Sequence, residues 1–315
     1  MKIPDKIPAE EKKRFLERIS KVLDGGQFIL GKEVELFEKE AADFCGMKYA
    51  VGVNSGTDAL FLSLKAMGVK QGDEVITTPF TFIASSEAIV NCGAKPVFVD
   101  INYNDFLLNV NLLEKEITEK TKAILPVHLF GQVCDMKGIM RIARQYDLKV
   151  VEDAAQAFGE KGLGKGDLLC FSFHPSKSLG GIGDGGMVLT NNKELADKLR
   201  SLRHHGAKIK GKVFEKYNNV LVGFNSRLDE IQAAVLRIKL KEFGKGGIKK
   251  LFTFRTPNRD LVADFLEKNG IDNKVYYKKP LHLQSCFKEL EYEKGDFPIA
   301  EKAGKEVLTV NIYND

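Results

Sequence analysis

Long apolar runs are missing from this sequence, and no stretch approaches the ~20 uninterrupted residues that a membrane-spanning helix needs. A membrane span is therefore not expected. The opening residues, MKIPDKIPAEEKKRF, are charged where a secretory signal would be apolar, so export is not expected and the predicted location is the cytoplasm. The five cysteines are odd in number and show no CxxC spacing, which favours reduced, buried thiols.

A strong charge of either sign is also missing. Lysine and arginine total 48 against 43 aspartates and glutamates, and a net charge of +5 does not indicate nucleic-acid binding in a chain of 315 residues. The adjacent His204 and His205 do not face a common ligand on a helix, and the scattered His128, His174 and His282 lack the spacing of zinc ligands. No metal site is predicted.

Two common signatures of catalysis and phosphate binding, the GxSxG elbow and the P-loop, do not occur in the sequence. Gly181, Gly183 and Gly186 do satisfy the GxGxxG pattern of dinucleotide-binding proteins. That pattern must follow a strand and open a helix, whereas these glycines precede the strand-like residues 187–190. Nicotinamide binding is therefore not predicted.

Between residues 49 and 190, short β-branched runs alternate with helical stretches, which is the pattern of a mostly parallel sheet covered by helices. With 43% apolar residues, a chain of this length can bury a large α/β domain and a smaller one. The predicted helices of this region lie near 57–67, 82–91 and 136–146, and the predicted strands are 49–53, 74–77, 96–100, 122–127, 148–152, 169–173 and 186–190.

A second region follows a long amphipathic helix, predicted from Ser226 to about Glu242, where Ser226 and Asp229 resemble a capping box. The run GKGGIKK at 244–250 is the most linker-like segment of the chain. We therefore predict a large domain at 1–243, with an N-terminal helical segment, and a small C-terminal α+β domain at 244–315. Helices are predicted in it near 258–268 and 299–308.

Three segments have residues suited to binding chemistry, and each also has an ordinary explanation. Ser55, Gly56 and Thr57 open a helix whose free N–H groups suit a phosphate, although helix caps of this composition are common. Asp153 ends a strand where α/β proteins bind ligands; it either pairs with a protonated ring nitrogen or caps a following helix. Lys177 lies among Ser, aromatic and Gly residues, where a desolvated amine forms an imine with a carbonyl cofactor, although most lysines are solvated.

The order of the segments is more informative than any one of them. Eight segments follow one another as in the sugar aminotransferases often called the DegT/DnrJ/StrS group, and they are SGTDAL, GDEVITTPFTFIAS, AKPVFVDI, PVHLFGQ, EDAAQAFG, FSFHPSKSLGGIGDGG, RHHG and GFNSRLDEIQAA. The sequence resembles this family over about residues 25–240 and again from Phe254 to the end. The resemblance implies a fold type I enzyme that uses pyridoxal 5'-phosphate to move an amino group, usually from glutamate, to a nucleotide-linked keto sugar.

The resemblance also implies a role for each matching residue. Lys177 forms the imine with pyridoxal phosphate and acts as the catalytic base, and Asp153 keeps the ring nitrogen protonated so that the ring can accept electrons. Gly56, Thr57 and Ser172 hold the phosphate.

The remaining implied cofactor contacts surround the ring. Gln156 binds near the ring hydroxyl, while Ala155 supports one ring face and Phe82 stacks on the other. Asn225 reaches the phosphate of the neighbouring subunit, so the resemblance implies a homodimer with its active site at the subunit interface.

The C-terminal part departs from the family pattern. In the segment that resembles HYPxPLH, Tyr276 and Lys278 replace the usual His and Pro, and Tyr277 and His282 remain as candidate substrate residues. The sequence is also shorter than the family pattern, above all between Lys241 and Phe254. The alternatives are therefore a catalytically impaired or binding-only member of the same fold and, less favoured, a sugar dehydratase, which resembles this sequence but has His in place of the imine lysine.

Overall fold

The computed structural model describes residues 7–210, 213–243 and 251–311. The α-helices are α1 (Ala9–Gly25), α2 (Lys32–Cys45), α3 (Gly56–Ala66), α4 (Ala84–Asn91), α5 (Val110–Leu113), α6 (Met136–Gln145), α7 (Lys193–Arg203), α8 (Glu230–Phe243), α9 (Arg259–Lys268) and α10 (Pro298–Glu306). The strands are β1 (Tyr49–Val53), β2 (Glu74–Thr77), β3 (Lys95–Phe98), β4 (Thr121–Ile124), β5 (Lys149–Asp153), β6 (Leu168–Ser172), β7 (Gly186–Thr190), β8 (Ala207–Lys210), β9 (Val213–Asn219), β10 (Leu251–Arg255), β11 (Asn273–Lys274) and β12 (Val307–Asn311). Short 3₁₀ helices lie at Glu114–Glu116, Leu129–Gly131, Leu281–Leu283 and Ser285–Leu290.

All seven strands predicted between residues 49 and 190 exist, as do the predicted helices, but some helix boundaries differ from those predicted. The long helix begins at Glu230 rather than Ser226, because Asp229 is the residue that accepts a hydrogen bond from an N–H of its first turn, that of Gln232 (2.8 Å). The last helix ends at Glu306 rather than 308, because Val307 already pairs with Arg255 as the first residue of β12.

The described residues form two compact units. The first comprises residues 7–68, 167–210 and 213–243. Its main strands follow the order β1-β7-β6 and are antiparallel, and β8 and β9 form a separate antiparallel pair. Every residue of β7 is buried, as expected for an apolar run covered on both faces.

Helix α2 in this first unit begins with help from a distant side chain. Its N-cap residue is Gly31, which has no side chain to accept the first N–H groups. The buried carboxylate of Glu230 on α8 does so instead: Oε1 accepts from the N–H of Gly31 (2.8 Å) and Val34 (3.1 Å), and Oε2 accepts from Glu33 N–H (2.7 Å). The negative charge of Glu230 also stabilises the helix, because it lies at the positive end of the helix dipole.

The second unit comprises residues 69–166 and 251–311. Its four sheet strands follow the order β5-β4-β2-β3 and are all parallel, with α4 and α6 among the connections between them. In its C-terminal part, β12 pairs antiparallel with both β10 and β11. The parallel strands and the small C-terminal sheet confirm the predicted α/β and α+β classes.

The C-terminal residues of this unit are joined to the parallel strands by hydrogen bonds. Leu281 N–H donates to the carbonyl of Pro79 (2.8 Å). Asp100, which follows β3, accepts from the N–H groups of Ile299 and Ala300 (both 2.9 Å) and so caps α10 from outside the helix. The predicted boundary between domains at 243 and 244 falls beside residues 244–250, which lie outside the described residues, and it stays a prediction.

Candidate active site

Asp153 is the last residue of β5, and its carboxylate is held from two sides. Oδ2 accepts a hydrogen bond from the Ser85 hydroxyl (2.7 Å), and Oδ1 accepts from the N–H of Ala155 (3.1 Å). The side chain is buried. Residues 154–160 form turns and no α-helix begins among them, so the carboxylate does not cap a helix as the ordinary explanation required.

A second buried acid, Glu152, lies behind Asp153 on the same strand. One of its carboxylate oxygens accepts from Gly166 N–H (2.5 Å), and the other accepts from Gly164 N–H (3.0 Å) and lies 2.9 Å from Nε2 of His128. The side chains of Glu152 and His128 are both fully buried. Because Nδ1 of His128 accepts from the N–H of Cys134 (3.1 Å), the proton of the neutral ring is on Nε2, where it is donated to Glu152.

The same unit brings Gln156 next to Tyr277. Nε2 of Gln156 lies 3.1 Å from the Tyr277 hydroxyl, and its Oε1 accepts from the N–H of Phe130 (2.9 Å). Burial raises the pKa of Tyr277 above its usual value. The ring of Phe82, which is half exposed, has its centroid 6.3 Å from that of Tyr277. Four of the predicted residues, Asp153, Ala155, Gln156 and Tyr277, are thus linked within one unit, with Phe82 beside them.

His282 has different surroundings from Tyr277, although the two residues are close in the sequence. Its buried ring packs against Phe297, with centroids 4.8 Å apart, and Nε2 lies 3.2 Å from Glu301 Oε1. Burial lowers the pKa of His282, while Glu301 acts in the opposite direction. A role of His282 in substrate binding stays a prediction.

The first unit places three predicted phosphate ligands together. Helix α3 begins at Gly56, where Ser55 Oγ accepts from Asp58 N–H (3.1 Å) and the Ser55 carbonyl accepts from Ala59 N–H (3.0 Å). Within the described residues, the N–H groups of Gly56 and Thr57 have no acceptor. A Cβ atom on Gly56 would lie 2.6 Å from Cβ of Ser172, so only glycine lets the helix start this close to the end of β6. Open N–H groups beside a serine hydroxyl fit a phosphate group.

Lys177 follows β6 in a turn, where its N–H donates to the carbonyl of His174 (2.8 Å), and the residue is half-buried. Asn225 is exposed and forms an isolated bridge with His204. The neighbouring Ser226 was predicted to cap α8, but its hydroxyl donates to Asp58 of α3 (2.5 Å) instead. The turn that contains Asn225 is therefore attached through Ser226 to α3, the helix with the open N–H groups.

Two further absences concern the described residues only. They contain no group of three or more His, Cys, Asp or Glu side chains arranged to hold a metal ion. Among those same residues, no helix has both the length and the apolar character required to cross a bilayer.

Comparison with known proteins identifies the relatives of this chain. The sequence model of the DegT/DnrJ/EryC1/StrS aminotransferase family matches residues 9–250 and 248–315. The chain belongs to this family. The two matched segments meet at the run 244–250, where the sequence predicted a shortening relative to the family.

Individual relatives agree with this assignment. The chain is 40% identical to a pleiotropic regulatory protein of Geobacillus stearothermophilus over 355 aligned positions, which cover 99% of this chain and 94% of the relative. It is 40% identical to the UDP-N-acetyl-3-dehydro-alpha-D-glucosamine 3-aminotransferase of Acidithiobacillus ferrooxidans, covering 95% of this chain and 88% of the relative. The crystal structure of NtdA from Bacillus subtilis with bound cofactor PMP superposes with a TM-score of 0.89 at 32% identity, covering 98% of this chain and 78% of that one.

These relatives confirm the predicted family, fold, enzyme class and cofactor, which is pyridoxal phosphate. The cradle at Gly56 and Ser172 and the held carboxylate of Asp153 fit its phosphate and its ring nitrogen, respectively. Sequence reasoning missed Ser85 and Phe130, which position Asp153 and Gln156. A serine 68 residues from its partner and a backbone N–H leave no recognisable pattern in a sequence.

Proposed function

We propose that this chain moves an amino group from glutamate to a keto sugar attached to a nucleotide. The observation that carries the proposal is the buried carboxylate of Asp153, which Ser85 and Ala155 hold by hydrogen bonds and which could pair with a protonated ring nitrogen. Membership of the aminotransferase family supports the reaction. The name of the Acidithiobacillus relative supports a UDP-linked keto sugar as the substrate class.

Each residue has a distinct task in this proposal. Pyridoxal phosphate, when bound, supplies a ring that withdraws electrons from the donor α-carbon. Nζ of Lys177 holds the cofactor in the resting enzyme, accepts the proton of the donor α-carbon, and later delivers a proton to the sugar carbon. Asp153 keeps a proton on the ring nitrogen because a buried carboxylate stabilises the neighbouring positive charge. The N–H groups of Gly56 and Thr57 bind the phosphate.

We further propose the remaining contacts, the assembly and the location. Ser172 completes the phosphate site, and Ala155 and Phe82 lie against the two faces of the ring. Asn225 reaches the phosphate of a second copy, so the active form is a homodimer. Tyr277 and His282 are candidates for contact with the sugar substrate. The enzyme works in the cytoplasm.

The role of Lys177 is tested by trapping. Protein loaded with pyridoxal phosphate is reduced with borohydride, digested and examined by mass spectrometry. The cofactor mass is expected on the peptide that contains Lys177, and the Lys177→Ala variant is expected to lose both the label and transamination. Lys161→Ala, which removes an exposed lysine, is the matched control and should behave as the parent. A label on another lysine, or turnover by Lys177→Ala, would show that the assignment is wrong.

The reaction is tested with a panel of nucleotide-linked keto sugars, with glutamate as donor and product mass as the readout. An aminated sugar and ping-pong kinetics are expected. If the protein binds pyridoxal phosphate at Lys177 but aminates no sugar of the panel, the binding-only alternative replaces this proposal.

The shared site is tested with hybrids. Mixing inactive Asn225→Ala and Lys177→Ala subunits should restore part of the activity, because one of the two sites in a hybrid dimer has both residues intact. If no mixture recovers activity although hybrids form, the proposed contact of Asn225 with the second copy is wrong.

A further inference from the structure

The side-chain amide of Gln156 is held at both of its ends. Its Oε1 lies 2.9 Å from the N–H of Phe130, and its Nε2 lies 3.1 Å from the hydroxyl of Tyr277. A backbone N–H can only donate, so the atom that faces Phe130 must be the amide oxygen. This contact decides between the two possible orientations of the amide, which otherwise differ only by exchange of oxygen and nitrogen.

The Phe130 N–H is itself fixed to the end of β5. Phe130 lies in the 3₁₀ turn Leu129–Gly131 with a left-handed backbone (φ 58°). His128, the residue before this turn, donates its N–H to the carbonyl of Asp153 (2.9 Å). The amide oxygen of Gln156 is therefore attached to the same strand end that carries the Asp153 carboxylate.

The Tyr277 hydroxyl determines what the nitrogen end of the amide can do. An amide nitrogen has two hydrogens, and the hydroxyl oxygen of Tyr277 accepts one of them. The other hydrogen remains as the single donor that the amide can offer to a ligand. Two aromatic rings lie near the tyrosine ring and limit its movement, with the centroid of Phe80 at 6.2 Å and that of Phe82 at 6.3 Å.

We infer that Tyr277 is a positioning residue for the cofactor, in addition to any contact with substrate. Its hydroxyl and the Phe130 N–H together lock the Gln156 amide so that the remaining N–H points to the oxygen substituent of the cofactor ring. The inference rests on the proposed place of Gln156 beside the ring hydroxyl. It adds that Tyr277, which is 121 positions after Gln156 in the chain, determines the direction in which the Gln156 amide donates its hydrogen bond to the ring.

The spectrum of the bound cofactor reports this donor. A hydrogen bond from Gln156 stabilises the ionised ring oxygen, and its loss makes that oxygen more basic. The pH midpoint of the visible absorbance change of the bound cofactor should then rise, because the proton that the ring oxygen shares is held more tightly. One ordinary hydrogen bond corresponds to a shift of up to about one pH unit.

The experiment is a pH titration of the visible spectrum of holoenzyme variants. Tyr277→Phe and Gln156→Leu should each raise the midpoint, and the double variant should move it no further than Gln156→Leu alone, because both changes remove the same donor. Tyr276→Phe removes the neighbouring hydroxyl and is the matched control, which should titrate as the parent does. If Tyr277→Phe does not fold, Tyr277→Met, which also lacks a hydroxyl, takes its place.

The outcomes separate this inference from the proposed function. An unchanged midpoint in the Tyr277 variant, even with a raised KM for the sugar, would overturn the positioning role and leave only substrate contact. Additive shifts in the double variant would overturn the shared donor. If the parent protein itself shows no titratable visible band with pyridoxal phosphate, the proposed cofactor site has failed, and the inference fails with it for that separate reason.

Discussion

The most informative perturbation outside the cofactor contacts is Glu152→Gln, which keeps the shape of the side chain and removes its charge. In the parent, the two carboxylate oxygens accept from Gly164, Gly166 and His128. Glutamine has only one acceptor oxygen. Whichever way its amide turns, its NH₂ group faces at least one of these donors, and two donors then oppose each other in a buried place.

His128 cannot relieve the conflict by moving its proton. If the proton transferred from Nε2 to Nδ1, it would oppose the N–H of Cys134, which now donates to Nδ1 at 3.1 Å. An opposed buried donor costs about 1–3 kcal/mol, and loss of the charge-assisted hydrogen bonds adds to this. We expect Glu152→Gln to lower the free energy of unfolding by about 2–4 kcal/mol, a large part of the roughly 5–15 kcal/mol of a typical domain.

Two assays test this expectation. Urea unfolding gives the free energy, and trypsin reports on the loop that Glu152 holds, because Lys161 and Lys165 are exposed there. The variant should be cut faster at these lysines. Glu119→Gln, at an exposed glutamate, is the control. A free energy within about 0.5 kcal/mol of the parent, the range of ordinary surface substitutions, together with unchanged cleavage would refute the reasoning.

Three other changes test different parts of the structure. Glu230→Ala leaves the first N–H groups of α2 without their acceptor and should lower the free energy of unfolding, measured by urea unfolding, by about 3 kcal/mol. A loss below about 1 kcal/mol would contradict the capping role. Gly56→Ala brings a Cβ within 2.6 Å of that of Ser172 and should cost about 1–3 kcal/mol, which Ser172→Gly in the same chain should largely restore. Burial raises the pKa of Cys134 from 9.0 to about 12, so the unfolded thiol ionises first and stability should fall as the pH rises through this range. In Cys134→Ala, the free energy of unfolding measured with urea should fall less over this pH range. A pH profile identical to that of the parent would count against a buried, neutral thiol.

The strands were predictable because β-branched runs between turn residues are visible in the sequence. The position of Asp153 at the end of such a run also predicted that it lies at the edge of the sheet where ligands bind. The supports of the site were not predictable. Gln156 and Tyr277 are 121 residues apart, and only the folded chain brings them together. Ser226 was misread because a serine three residues before an acid resembles a cap, whereas its hydroxyl bonds Asp58 of another helix.

An N-terminal helical segment was predicted, but the start of α2 and the β8–β9 pair show the same limit in a different form. Helix α2 lacks a local cap, so the usual start signal is absent from its own residues. Strand β9 is mostly exposed and its sequence VFEKYNN shows no regular alternation, which leaves no pattern of a half-buried strand.

The carboxylates that cap α2 and α10 have a consequence for how the chain acquires its structure. Glu230 is 197 residues from the Glu33 N–H that it binds, and Asp100 is 199 residues from Ile299. During synthesis, α2 therefore emerges long before its capping residue exists, and Asp100 emerges long before α10, the helix that it caps. Such distant pairings slow folding. We expect native-like protection of the α2 amides against hydrogen exchange to appear only after α8 has left the ribosome.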